Sequence, residues 1–198
     1  MKPYYETELG VLYHGDCLDI MPHLEPVDLV LTDPPYPNFH TEQYGYFDGI
    51  INFLNSLCCR QLIFWTEKEE FPLTHKVVHE WNKLCGTWAT KELIYERNSR
   101  SEPKKFGYQK IKNKIDAQMN RDVLTIHPSQ KPIRLIREMV YLWSEPKSLI
   151  LDPFAGTGTT FVVCEELNRR WIGIEIEEKY CEIAAKRIEK ERQQLKLF

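Results

Sequence analysis

An α/β fold built on a mainly parallel sheet is what this sequence predicts, and three observations predict it. Short apolar runs alternate with helix-patterned stretches along most of the chain. Runs such as "VDLVL" and "SLIL" are nearly continuous in apolar residues, as in strands buried on both faces. The 198 residues, 42% hydrophobic and 28% charged, suit one compact domain spanning 1–198 with a sizeable core.

The elements follow in order. "GVLYHGD" reads as a strand closing on Gly15 and Asp16, and "CLDIMPHL" as a brief helix with Leu18, Met21 and Leu24 at near-helical spacing. "VDLVLTD" is the next strand, completing a βαβ unit, and the prolines of "TDPPYP" end it. An aromatic, polar loop, "NFHTEQYGYFDG", leads to a helix at "IINFLNSLC". "QLIFWTE" is a strand, and "LTHKVVHEWNKLC" is expected to be a helix with Leu73, Val77, Val78, Trp81 and Leu84 on one side. "KELIYER" and "DVLTI" are strands on either side of a basic stretch. "IRLIREMVYLWS" has the broad apolar face of a helix, through Ile133, Leu135, Ile136, Met139, Val140 and Trp143. "SLILD" and "RWIGIE" complete seven expected strands. The first of these runs through a glycine turn into the helix "FVVCEELNR", and the second ends at Glu175 before a last helix laced with i,i+4 charge pairs.

Composition narrows the function classes. The apolar runs are short and the first residues, "MKPYYETELG", lack a basic cluster and an apolar core, so neither a membrane span nor a signal peptide is expected, and the chain is expected in the cytoplasm. Six cysteines form no CxxC pair and no zinc spacing, and they read as reduced thiols with no metal site. The vicinal Cys58 and Cys59 read as ordinary helix packing.

Net charge is −3, yet residues 91–121 carry nine basic side chains against four acidic ones, a local +5 on a body of −8. Such an island is the footprint of a face that meets phosphates, with a solvated lysine-rich loop as the alternative.

"LDPFAGTGTT" places Gly156 and Gly158 at a strand end, where the backbone can approach a ligand, with Thr159 and Thr160 positioned to cap the next helix. The turn has neither the lysine of a Walker loop nor the third glycine of a dinucleotide fingerprint. Glu175, about twenty residues on, stands where a carboxylate can take both hydroxyls of a ribose. A glycine turn without phosphate recognition plus a ribose acid suggests a nucleoside ligand lacking phosphates. Asp16, Asp33, Asp152 and Glu175 all fall at strand ends. Carboxylates gathered on one edge need donors, and ligand amino and hydroxyl groups are expected to supply them. In "DPPY", Pro34 and Pro35 make a stiff turn without N–H donors. Asp33 and the Pro34 carbonyl then form a two-acceptor clamp for an exocyclic NH2, with Tyr36 as a stacking platform.

"DPPY" followed by "HPSQKP" and "DPFAGTGTT", with "GD" before them and "GIEIEEKYCEIAAKRI" after, resembles the S-adenosylmethionine-dependent amino-methyltransferases of DNA. More closely, it resembles their permuted beta class, in which the catalytic motif precedes the cofactor motif. The resemblance covers nearly the whole chain except the basic island. It implies a Rossmann-like class I methyltransferase fold, a seven-stranded sheet with helices on both faces, circularly permuted with the cut between the last helix and the first strand.

The resemblance also implies roles. Phe154, Gly156 and Gly158 line the methionine part of S-adenosylmethionine, Glu175 holds its ribose, and Asp16 accepts from its adenine. Ser129 and Lys131 of "HPSQKP" seat the methionyl end, while a capping role suits His127. Asp152 organises the turn, and Thr159 and Thr160 complete the cofactor loop. Asp33, Pro34, Pro35 and Tyr36 form the catalytic clamp, which also borders the cofactor. The substrate implied is double-stranded DNA with the target base flipped out under a lid at residues 38–49, where Phe39, Tyr44, Tyr46 and Phe47 cluster.

Asp at the first motif position resembles the adenine-N6 subfamily. Cytosine-N4 enzymes more often carry Ser there, and RNA-base and protein-glutamine methylating families share "PPY". Residues 97–122 are expected to form a small target-recognition insertion, with Arg97, Arg100, Lys104, Lys105, Lys110, Lys112 and Lys114 on DNA and Asn98, Gln109 and Asn113 as further candidates for base edges. Because this segment is short for the family, the chain is expected to read only a few base pairs, to act as a homodimer, or to depend on a specificity partner.

Overall fold

The computed structural model describes residues 1–35, 44–83, 90–98 and 130–195. Among them the strands are β1 (Tyr5–Glu6), β2 (Gly10–His14), β3 (Leu29–Thr32), β4 (Arg60–Thr66), β5 (Val77–Lys83), β6 (Thr90–Arg97), β7 (Leu149–Asp152) and β8 (Arg170–Glu175). They form one sheet in the order β1-β2-β8-β7-β3-β4-β6-β5. β2, β8, β7, β3 and β4 are mutually parallel, while β1, β6 and β5 pair antiparallel at the margins.

The permutation is visible in the register. β2, near the start of the sequence, lies parallel beside β8, with His14 opposite Glu175. β7 leads to β8 on one side and β3 leads to β4 on the other, so the order reverses between β7 and β3. A crevice outside the strand carboxyl ends is expected at that reversal.

Side chains along the parallel strands alternate between two apolar layers, which is why helices cover both faces. Leu29, Leu31, Leu62, Phe64, Ile150 and Trp171 join one layer with α3 (Ile133–Trp143), α4 (Thr159–Glu166) and α5 (Glu178–Leu195). Val30, Ile63, Trp65, Leu149, Leu151 and Ile172 join the other with α1 (Cys17–Ile20) and α2 (Tyr44–Ser56). Each such buried Leu, Ile or Val contributes about 1.5–3 kcal/mol.

The structure corrects three expectations about elements. The helix expected around residues 73–84 is instead strand β5, paired along β6. Leu73, Val77 and Trp81 are four residues apart, a spacing that puts them on one side of a helix and equally on one face of a strand. Val78 separates the two cases: it is exposed, while His79 and Trp81 are buried, a period of two. The sheet therefore has eight described strands rather than seven, since β1 and β5 add to the count and "DVLTI" lies outside the described residues. Finally, helix α2 begins at Tyr44, inside the expected lid, and Phe47 packs against Trp65 with ring centroids 6.0 Å apart. Residues 38–43, including Phe39, lie outside the described residues.

Arg97, expected on DNA, is 3% exposed, with its guanidinium engaged inside the protein. Its guanidinium donates to the carbonyls of Thr74 at 2.6 Å and Leu54 at 3.2 Å, to Gln61 Oε1 at 2.9 Å and to Asn55 Oδ1 at 2.9 Å. Strand β6 is thereby bolted to the end of α2. Replacing Arg97 with Met removes all four of these bonds, the one to buried Gln61 Oε1 among them, and is expected to cost about 2–4 kcal/mol of stability, read as a lower urea midpoint at unchanged slope.

Candidate active site

Because β2, β8, β7 and β3 are parallel, the residues at their carboxyl ends share one edge of the sheet. Asp16, Asp33, Asp152 and Glu175 all lie there. The sequence expectation left their donors to a ligand, but the protein already supplies each with at least one.

Asp16 caps α1, its Oδ1 accepting from Leu18 N at 2.8 Å. Asp152 is buried at the end of β7 and accepts from Thr32 Oγ1 at 3.1 Å, Thr160 Oγ1 at 2.9 Å and Phe154 N at 3.2 Å. The Thr32 contact ties β7 to β3 across the reversal point and fits the turn-organising role expected of Asp152. Thr160 is thus committed to Asp152, and the N-cap of α4 is Gly158 with no side-chain bond, so capping by Thr159 and Thr160 is not what this turn uses.

Burial raises the Asp152 carboxyl to about 6, with its three hydrogen bonds pulling the other way. A carboxyl raised from an ordinary 3.8 binds its proton more tightly in the folded state. Its contribution to stability is therefore complete below the unfolded value and is lost as pH rises through about 6. Asp152→Asn is expected to gain on the parent by roughly 3 kcal/mol between pH 4 and 7, checked by melting both proteins across that range.

Glu175 holds the glycine turn. Its Oε2 accepts from Gly156 N at 2.7 Å and its Oε1 from Glu177 N at 2.9 Å. It is 8% exposed, and burial raises its carboxyl above the ordinary range despite those backbone donors. Gly156 and Gly158 are left-handed, with φ of 50° and 76°. A Cβ on Gly156 would meet nothing within 4 Å, so open space borders the turn there. A Cβ on Gly158 would come 2.8 Å from Ala184 Cβ, so this glycine lets α5 close on the turn.

Two residues that no sequence pattern singled out lock the same turn. Arg187, on α5, donates to Thr157 Oγ1 at 2.8 Å and to Thr159 Oγ1 at 3.1 Å, and Thr157 Oγ1 donates to Gln130 Oε1 at 3.0 Å. The "HPSQKP" segment thus touches the turn through Gln130. Ser129 and His127 lie outside the described residues.

Lys131, expected to seat the methionyl end of the cofactor, pairs its ammonium with Asp33 Oδ2 and with Glu92 Oε1, the latter at 2.8 Å. It also sits 4.9 Å from the centroid of the Phe64 ring. Burial works against the charge on Lys131, and the Asp33 and Glu92 carboxylates more than offset it, so its pKa is raised. Asp33 keeps partial exposure at 24% of its side chain, Pro34 is buried and Pro35 is half-buried. Tyr36, Arg100, Lys104, Lys105, Lys110, Lys112 and Lys114 lie outside the described residues.

Known proteins resemble this chain in sequence and in fold. A family model described as DNA methylase, for N6 and N4 enzymes, matches residues 60–186. The type II methyltransferase M2.LlaDCHI of Lactococcus lactis subsp. cremoris is 27% identical over 251 aligned positions, covering 96% of this chain and 93% of that protein. The crystal structure of the M1.HpyAVI–SAM complex superposes with a TM-score of 0.67 at 24% identity, over 89% of this chain and 98% of that one. The cytosine-N4-specific PvuII DNA methyltransferase also superposes at 0.67, with 17% identity over 98% and 95% of the two chains. Among the described residues no helix is long and apolar enough to cross a membrane. With a family model matched across well over half of its length and the strand-end motifs in the permuted order, the chain belongs to the N6/N4 DNA methylase family, enzymes that use S-adenosylmethionine to methylate exocyclic amino groups of DNA bases.

Proposed function

We propose that this chain methylates the N6 amino group of adenine in double-stranded DNA, and that Asp33 is the acceptor that makes the amine reactive. The observation that carries this reading is the placement of Asp33. It is a partly exposed carboxylate at the reversal point of the sheet, next to the buried Pro34 and on the same edge as the glycine turn.

The residues fit S-adenosylmethionine. Glu175 accepts from Gly156 N on Oε2 and from Glu177 N on Oε1, and two carboxylate oxygens have acceptor capacity beyond these for a pair of ribose hydroxyls. The space beside Gly156 admits a ligand against the backbone. Asp16, with Oδ1 on Leu18 N, keeps acceptor capacity for the amino group of the cofactor's adenine. When bound, the cofactor supplies an electrophilic methyl group on a sulfonium and leaves as a neutral thioether.

An exocyclic amine is a poor nucleophile because its lone pair is delocalised into the ring. Asp33 and the Pro34 carbonyl, accepting its two N–H bonds, hold that lone pair on nitrogen and aim it for in-line displacement. The nitrogen–carbon bond forms as the carbon–sulfur bond breaks, its electron pair staying with sulfur. One N–H proton then departs on the Asp33 side. Tyr36 is the stacking platform for the flipped base.

Asp rather than Ser at the first motif position supports adenine. The cytosine-N4 alternative would use the same contacts. DNA contacts are assigned to Arg100, Lys104, Lys105, Lys110, Lys112 and Lys114 of an insertion that, with Arg97 built into β6, begins after residue 98 and runs to 122. That insertion is brief, about two dozen residues. A recognition surface this small suits a short site, a second copy of the chain or a partner that contributes specificity. Purified protein with methyl-labelled cofactor is expected to label duplex DNA. Label on RNA or protein with none on DNA would overturn the reading.

A further inference from the structure

The ammonium of Lys131 is shared between two carboxylates that the rest of the account treats unequally. Asp33 stands at the catalytic motif, whereas Glu92, on β6, belongs to no motif. Glu92 is nonetheless buried, its side chain 4% exposed, and only 2.8 Å from the Lys131 nitrogen, whose own side chain is 12% exposed. Asp33 therefore faces two demands. It must neutralise a buried cation, and on the reading above it must also accept an N–H from the target amine. A neutral amine competes poorly with an ammonium for the same carboxylate, because the charge-assisted bond is roughly twice as strong. Asp33 could hold the ammonium on Oδ2 and the amine on Oδ1, but as the sole counter-charge of a buried cation it would be the weaker acceptor for that amine.

We propose that Glu92 is a positioning residue for methyl transfer: it is the alternative seat of the Lys131 ammonium, and so frees the Asp33 carboxylate for the target amino group. The three side chains together carry one net negative charge with both carboxylates ionised. Methyl transfer develops positive charge on the attacking nitrogen, and a net negative cluster favours it. Without the Glu92 charge the cluster is neutral and Lys131 closes onto Asp33, so both effects act against the reaction. Phe64, under the ammonium, limits how far Lys131 can move and keeps it between its two partners.

This inference rests on Asp33 being the amine acceptor, and its test separates the two. Glu92→Gln keeps the shape and removes the charge. It is expected to lower kcat at least 30-fold while the Kd for S-adenosylmethionine and the KM for DNA stay within about threefold. The double variant Glu92→Gln/Lys131→Met removes both buried charges. Its kcat is expected to exceed that of Glu92→Gln at least tenfold and to lie within threefold of Lys131→Met alone, since the role proposed for Glu92 acts through the Lys131 ammonium. The comparison with Lys131→Met stands even where Glu92→Gln alone does not fold. A parental kcat in Glu92→Gln, a loss confined to cofactor binding, or a double variant at least tenfold slower than Lys131→Met would overturn the proposal. If those results arise while Asp33→Ala is inactive, only the role of Glu92 falls. If Asp33→Ala is active, the acceptor reading falls with it.

Discussion

Asp33→Ala is expected to lower the rate of methyl transfer about a thousandfold or more while leaving the protein folded and cofactor affinity within about threefold. The rate loss follows from the place of Asp33 in the reaction, where it holds the amine lone pair in line with the methyl group. Removing one preorganised polar partner from a reacting centre typically costs two to three orders of magnitude in kcat, about 2.7–4 kcal/mol. Here the acceptor carries full charge and faces developing positive charge. Persistence of the fold follows from Glu92. Truncating Asp33 would otherwise strand the Lys131 ammonium, but that ammonium has a second carboxylate 2.8 Å away. Single-turnover kinetics with labelled cofactor, alongside a direct cofactor titration, reads both quantities. A variant that loses cofactor binding in step with rate would place Asp33 in the cofactor pocket rather than at the amine.

Glu175→Gln is expected to weaken S-adenosylmethionine binding about a hundredfold, or about 2.7 kcal/mol. Two effects combine. Ribose hydroxyls donate to a carboxylate in charge-assisted bonds, each worth more than a neutral one. The native carboxylate also accepts from Gly156 N and Glu177 N on opposite oxygens, and the amide nitrogen of Gln would confront one of those donors with another donor. The glycine turn therefore loses its anchor as the ribose loses its acceptor. Since burial raises the Glu175 carboxyl, parental affinity should also fall on acidification at a higher pH than an exposed carboxylate would give. Calorimetric titration of parent and variant from pH 5 to 8 checks both statements, and equal affinities at neutral pH would remove Glu175 from the ribose site.

The parts of the site that were legible in the sequence are those where one strand end meets one turn. Asp33, Gly156, Gly158 and Glu175 each lie at the close of an apolar run, so local pattern alone puts them on the carboxyl edge of a parallel sheet. The hidden parts depend on which strands become neighbours. Thr32 meets Asp152 because β3 and β7 pair, a contact spanning 120 residues. Glu92 looks like one more acid in "KELIYER", and only the placement of β6 beside β4 carries it to Lys131. Arg187 reads as one charge of many on an amphipathic helix, yet it is the side chain that reaches the turn.

Arg97 misled for a similar reason. Adjacent to a lysine-rich stretch, it reads as part of a basic face, but it is the last residue of β6 and is drawn into the buried amide and carbonyl groups of α2 and β4. The fold itself failed only where pattern is ambiguous. Apolar residues four apart fit both a helix and a strand at β5, and a two-residue edge strand such as β1 carries no periodicity at all.

The measurement that tests the central claim most directly is nucleoside mass spectrometry of duplex DNA incubated with the purified protein and S-adenosylmethionine, with the Asp33→Ala variant run in parallel. N6-methyladenine with the parent and none with the variant is the predicted result. N4-methylcytosine would contradict the assignment to adenine, and unmodified DNA with the parent, or N6-methyladenine at equal yield with the variant, would contradict the mechanism.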